Sequence, residues 1–159
     1  MFYIRDIGRH SKMEIKPYIS SKKHCITIHP ASYSSSEILN CAIPLKIVEL
    51  DGTKMLSKTS LFSEVSAKLL FPDYFGNNWD AFYDCISDLS WLPSHSYLII
   101  WHNSSTLLLE SAYDFYLFLE VFSSAAEFWE TQNIHFEMVI ADDFLWKLSD
   151  FIMQIHEIS

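Results

Sequence analysis

Pro72-Asp-Tyr-Phe-Gly-Asn-Asn-Trp-Asp-Ala-Phe-Tyr-Asp-Cys-Ile-Ser-Asp88 opens as a turn and closes as a helix. Pro72 stops whatever precedes it, and Gly76 with two asparagines supplies turn chemistry. Asn77 or Asn78 can cap the helix, since an Asx side chain accepts from an orphan N–H of the first turn. Trp79, Phe82, Ile86 and Leu89 then recur at three, four and three residues, the spacing of one buried helical face. On another face Asp80, Asp84 and Asp88 fall in an i, i+4, i+8 row, with Tyr83 beside them. A first-turn carboxylate offsets the helix dipole, which accounts for Asp80. It does not account for Asp84 and Asp88, because like charges four apart repel slightly. The row is either an acidic contact surface or a solvated face.

Working outward, Lys46–Leu50 reads as a strand and Asp51-Gly52 as a turn. Thr59 or Ser60 can cap a helix carrying Leu61, Val65 and Leu69 on one side. Beyond the quoted stretch, Tyr97–Trp101 is a near-continuous apolar run, as in a strand covered on both faces. A long helix follows with Phe115, Phe118, Leu119, Phe122, Ala126 and Trp129 inward. Asn133 breaks it, and His135–Ala141 reads as a strand. Asp142 or Asp143 can cap a last helix bearing Phe144, Leu148, Ile152 and Ile155. This order implies an α/β fold: a small three-stranded parallel sheet with helical crossovers. Before it, Phe2–Ile7, Met13–Ile19 and Cys25–His29 are short strands, the second confined to a sheet edge by Pro17. Ser32–Ser36 is a loop. The expected division is a strand-rich extension over 1–43 and the main domain with an added C-terminal helix over 44–159.

Composition narrows the function. Residues 1–45 hold six basic and three acidic side chains, +3, whereas 46–159 hold five basic and seventeen acidic, −12, within a total of −9. Nucleic-acid binders carry basic patches, so this balance points to a basic protein partner or to solubility. Three cysteines are no disulfide framework. The N-terminus has no signal-peptide pattern and no apolar run nears the ~20 residues of a membrane span, so the expectation is a soluble, cytoplasmic chain. Its three glycines are too dispersed for a phosphate loop, and no G-x-S-x-G occurs. Asp80 and Asp84 have no histidine in their segment, so no catalytic site is expected. Cys25 and His29 are C-x3-H, but a closed zinc site needs four ligands. No metal and no cofactor is expected.

The quoted stretch resembles the signature of the barstar family, Pro-(Asp/Glu)-Tyr-(Tyr/Phe)-Gly-x-Asn-x-Asp-Ala-(apolar)-(aromatic)-Asp-Cys. The register runs without gaps from Gly52 through Cys85, and the later element order agrees, so the resemblance spans about Leu45 to Ala141. It implies a proteinaceous inhibitor of the immunity or antitoxin type, monomeric before complex formation, that blocks a basic ribonuclease by mimicking its substrate. Asp84 is then the central carboxylate and Asp80 the second, with Tyr83, Tyr74, Asn78, Gly76, Trp79, Ser87 and Asp88 on the contact surface. Two alternatives are an immunity protein for a toxin that is not a ribonuclease, using the same surface, and a regulatory interaction module that has lost inhibition. Asp88 stands where the family favours glycine, and Leu89 where an aromatic contact residue sits. The acidic contact expected near the end of the long helix has no clean match: Phe128 falls there, between Glu127 and Glu130.

Overall fold

The computed structural model describes residues 2–6, 13–17, 25–33 and 45–147. Its strands are β1 (Phe2–Asp6), β2 (Met13–Pro17), β3 (Ile26–His29), β4 (Lys46–Asp51), β5 (Ser96–His102) and β6 (His135–Ala141). Between them lie α1 (Lys58–Lys68), α2 (Trp79–Asp88), α3 (Ser105–Glu110) and α4 (Ala112–Thr131), and residues 143–147 open a further helix, α5. One sheet holds all six strands in the order β1-β2-β3-β6-β5-β4.

Four strands, not three, run parallel: β3, β6, β5 and β4. The added one is β3, whose Ile26 and Ile28 face the same core as Met138 and Ile140 on β6. No local turn announces that pairing, because its partners stand about 110 residues apart. β2 is also not an edge strand. Pro17 is its last residue and pairs with Phe2, while the pairing with β3 involves only Met13 and Glu14, so the missing N–H is not needed there.

Alternation along the strands divides the sheet into two faces. Val48, Leu50, Tyr97, Ile99, Trp101, Phe136, Met138 and Ile140 meet Leu61 and Val65 of α1, Phe82 and Ile86 of α2, and the whole expected stripe of α4. Leu98, Ile100, Val139 and Ala141 form a smaller cluster with Tyr33, Leu45 and Ile47. The glycine of the first turn is required by space. A Cβ on Gly52 would come within 2.2 Å of the Asn103 carbonyl oxygen, so any side chain would force this turn away from the end of β5.

Helix boundaries differ from expectation at two points, and one residue expected inside faces out. Ser57 caps α1, in place of Thr59 or Ser60: its hydroxyl accepts from Ser60 N–H while Ser60 Oγ accepts from Ser57 N–H, a reciprocal box. The chain between β5 and β6 forms two helices, because Ser111 leaves helical geometry and caps α4 by accepting from Asp114 N–H. In α5 the cap is Asp142, which sets the phase so that Leu145 faces the core and Phe144 is 48% exposed. Leu148, Ile152 and Ile155 lie outside the described residues, as do Cys41 and residues 34–44, where the sequence places the rest of the loop and the boundary at 43.

Candidate functional site

The loop before α2 is pinned from below and open above. Phe71 and Phe75 sit edge-on at 5.2 Å, and Phe75 meets Phe62 at 5.6 Å, so two of the loop's aromatic rings are anchored. Phe75 N–H closes a turn on the Pro72 carbonyl. Tyr74, between the anchors, is 74% exposed. Asn77 adopts φ 52, and Asn78 is the cap, its Oδ1 accepting from Ala81 N–H at 2.9 Å while its Nδ2 donates to the Gly76 carbonyl. A Cβ at Gly76 would reach 3.1 Å from that Nδ2 and crowd the cap.

In α2, Phe82, Cys85 and Ile86 are buried, and Asp80, Asp84 and Asp88 are exposed. Trp79 and Tyr83 are half-buried. The Trp79 ring packs edge-on against Phe62 at 4.9 Å, so one indole serves both core and surface. Ser87 is half-buried, with its hydroxyl oxygen enclosed. Burial pushes the Cys85 thiol up, and the neighbouring Asp84 and Asp88 carboxylates add to it. The far end of α2 is fixed by Trp129 of α4, whose indole N–H donates to the Ile86 carbonyl at 2.9 Å.

Leu89 does not take part in this surface. It closes α2 at φ 43 and is 1% exposed, turned into the core. Periodicity assigns it to the buried face correctly.

What sequence reasoning missed is the opposite wall. Trp79, Asp80, Tyr83 and Asp84 line an open groove of about 540 Å³ whose other side is Glu120, Val121 and Ser124 of α4. The carboxylate facing α2 therefore comes from the middle of α4. Phe128, 38% exposed, stacks edge-on against Trp129, and neither it nor Glu127 and Glu130 lines the groove. Glu120 accepts a hydrogen bond from Tyr116 Oη one helical turn earlier. A Tyr/Glu pair at i, i+4 was a legible signal for an organised surface carboxylate. Which helix it would face was not.

The remaining candidate residues stay apart from this groove. Cys25 Sγ contacts Ser123 Oγ at 3.9 Å, and burial pushes its thiol up to about 11, which opposes thiolate metal ligation. His29 lies against Tyr33 with ring centres 4.3 Å apart. Among the described residues no three His, Cys, Asp or Glu side chains converge as a metal site, and no helix is long and apolar enough to cross a membrane.

Comparison with known proteins finds a family over the stretch from β4 to β6, which includes the loop–helix unit. The family model described as Barstar (barnase inhibitor) matches residues 45–141. No curated protein matches the chain.

Proposed function

The chain belongs to the barstar family, and from that premise we propose that it inhibits a basic ribonuclease by seating α2 and the loop before it in the enzyme's active site. Members of this family are inhibitors and not enzymes, and their partners are proteins. The observation that carries the reading is the row Asp80–Asp84, exposed on a helix whose other face is buried and whose two ends are fixed by Asn78 and Trp129. Carboxylates on such a support keep their position when a partner arrives, so little ordering entropy opposes binding. Against the arginine forks of a phosphate-binding site they make charge-assisted, bidentate bonds. Asp84 is the central substitute for an RNA phosphate and Asp80 the second. Tyr74 and Tyr83 supply rigid contact area around them, with Gly76, Asn78 and Asp88 at the edges. The inward turn of Leu89 and the acidic Asp88 alter the rim, which is where members that share this mechanism would differ in the nuclease they choose.

Barnase, the nuclease in the family's description, is the probe. Titrating its RNA cleavage with wild type, Asp84→Ala and Asp80→Ala tests the reading. Asp84→Ala should lose more affinity than any other single truncation, by about 3–5 kcal/mol if it leaves a buried partner charge unpaired, with Asp80→Ala next. Both variants should keep the wild-type fold, since both side chains are exposed. An Asp84→Ala protein as potent as wild type would remove the central claim.

A further inference from the structure

We propose that the outer edge of β1 pairs with the same strand of a second copy, antiparallel about a two-fold axis at Ile4, so that one sheet runs through two chains. This edge lies outside the stretch that the family matches, residues 45–141. β1 ends the strand order and, among the described residues, pairs only with β2. The direction of its backbone groups follows from strand to strand. Met138 N–H donates to the Cys25 carbonyl and Asp142 N–H to the His29 carbonyl. The odd residues along β3 therefore turn their backbone groups to β6, and the even ones turn theirs to β2. Ile28 pairs with Met13, so Met13, Ile15 and Pro17 of β2 face β3, while Glu14 and Lys16 face β1. Their partners Arg5 and Tyr3 are thereby used. The N–H and C=O groups of Phe2, Ile4 and Asp6 are left on the outer edge. Pro17 fits this phase, since its nitrogen falls on the β3 side, beyond the last pair of β2 with β3.

An unpaired edge is a template for another strand, and proteins blunt it with lysine, proline or a covering group. The opposite edge, β4, is treated in this way. Lys46 and Glu49 are exposed on it, and Glu64 of α1 accepts the Asp51 N–H at 3.2 Å. β1 carries neither lysine nor proline. Its sequence instead suits a copy of itself. A two-fold axis through the sheet keeps the helix-bearing faces of both copies on one side at the junction, so residues must meet with the same parity. Centring on Ile4 puts Ile4 opposite Ile4, Phe2 opposite Asp6, and Tyr3 opposite Arg5. Each outward residue then donates to and accepts from its counterpart, and no like charges stand opposite one another. An axis at Arg5 would set two arginines face to face and leave Phe2 unpaired, and one at Tyr3 would leave Asp6 unpaired. Within a chain of net charge −9, β1 is neutral, Arg5 against Asp6, so the edges themselves meet without repulsion. This self-complementarity is what an isologous interface needs, and a foreign strand would have no use for it. α1 packs on β4 at the far end of the sheet and α2 packs on α4, so pairing through β1 leaves the α2 face open. The monomer implied by the resemblance thus becomes a dimer with two such faces.

Sedimentation of the full-length protein tests this without any nuclease, so its outcome is separate from that of the inhibitory reading. A five-residue edge is a small interface, so the dimer should be weak, its mass rising from one chain towards two across the micromolar range. Ile4→Pro removes the N–H at the axis and spares the bonds between β1 and β2, because Ile4 faces outward. Ile4→Lys sets two ammonium groups opposite each other and serves where proline disturbs the hairpin. Either variant should raise the dissociation constant about tenfold or more, with the circular dichroism of wild type. Cysteine substitution reads the register. Residues opposite each other in a hydrogen-bonded pair lie about 5.5 Å apart at Cα, within reach of a disulfide. Ile4→Cys should therefore oxidise to a covalent dimer, and Tyr3→Cys should not, since Tyr3 meets Arg5 and not itself. Wild type, with three cysteines of its own, is the control. A wild-type protein that stays a single chain at every concentration would overturn the proposal. So would a dimer indifferent to both Ile4 variants, or cross-linking through Tyr3→Cys in place of Ile4→Cys.

Discussion

Leu70 and Leu89 each occupy the left-handed region of backbone space, at φ 54 and φ 43. For an L-residue with a side chain that region costs roughly 1–2 kcal/mol. Leu70 follows the cap of α1, and Phe71 N–H returns to the Ser66 carbonyl, so the turn has the hydrogen bond of a Schellman motif with leucine where glycine is usual. Its side chain is 61% exposed and gives little packing in return. Leu70→Gly should therefore stabilise the protein by about 0.5–1 kcal/mol, raising Tm by roughly 1–4 °C. Leu89→Gly relieves the same strain but empties a fully buried place beside α2. It should destabilise by about 2–4 kcal/mol, since truncating a buried leucine outweighs the relief. Thermal unfolding of the two variants checks both signs, and a stabilised Leu89→Gly would mean that Leu89 packs poorly. The sequence does not reveal this difference. Periodicity places Leu89 inside, but nothing in it shows that the backbone has already left the helix there, or that Leu70 bears the same strain outside.

Single elements were legible where their own period sets their face. The stripes of α1 and α4 and the exposed aspartates of α2 follow from spacing alone, because the buried arc of a helix repeats within its own sequence. The caps were legible to within a few residues and the pairing of elements was not, since α2 meets α4 through residues more than 30 positions away. Asp142 illustrates how a cap acquires a second task. Its Oδ1 accepts from Phe144 and Leu145 N–H at the start of α5, and its Oδ2 accepts from Ser105 N–H at the start of α3. One buried carboxylate thus answers the orphan donors of two helices and ties the end of β6 to the end of β5. Asp142→Ala should cost about 2–3 kcal/mol in urea unfolding, more than an ordinary cap, and Asp142→Asn distinctly less. Asparagine keeps one accepting oxygen and loses the other, so equal losses would show that either acceptance is worth nothing without its companion.

At the scale of the whole molecule, the N-terminal strands are part of one sheet. Removing residues 1–43 takes away β3, the bonds from Met138 N–H to the Cys25 carbonyl and from Asp142 N–H to the His29 carbonyl, and the cover of Ile26 and Ile28. The truncated chain should lose stability or aggregate through the bared edge of β6, while any soluble fraction keeps the inhibition proposed for α2, because that face lies on α2 and α4. A truncated protein with wild-type melting would show that β3 adds nothing. Cys25, at the start of that strand, also sets a pH dependence. Burial raises its thiol from 9.0 to about 11 in the folded state. A group whose folded value is the higher one contributes stability that is complete below about pH 9 and is lost as pH climbs towards 11. The stability difference between wild type and Cys25→Ala should therefore narrow across that window, and a constant difference would exclude the coupling. The parallel pairing of β3 with β6 has a further consequence for synthesis. With a partner about 110 residues downstream, β3 leaves the ribosome roughly 5–20 s before β6 exists. Through that interval a strand built around Ile26 and Ile28 has no parallel neighbour, so two side chains that end up fully enclosed wait for their cover until β6 emerges.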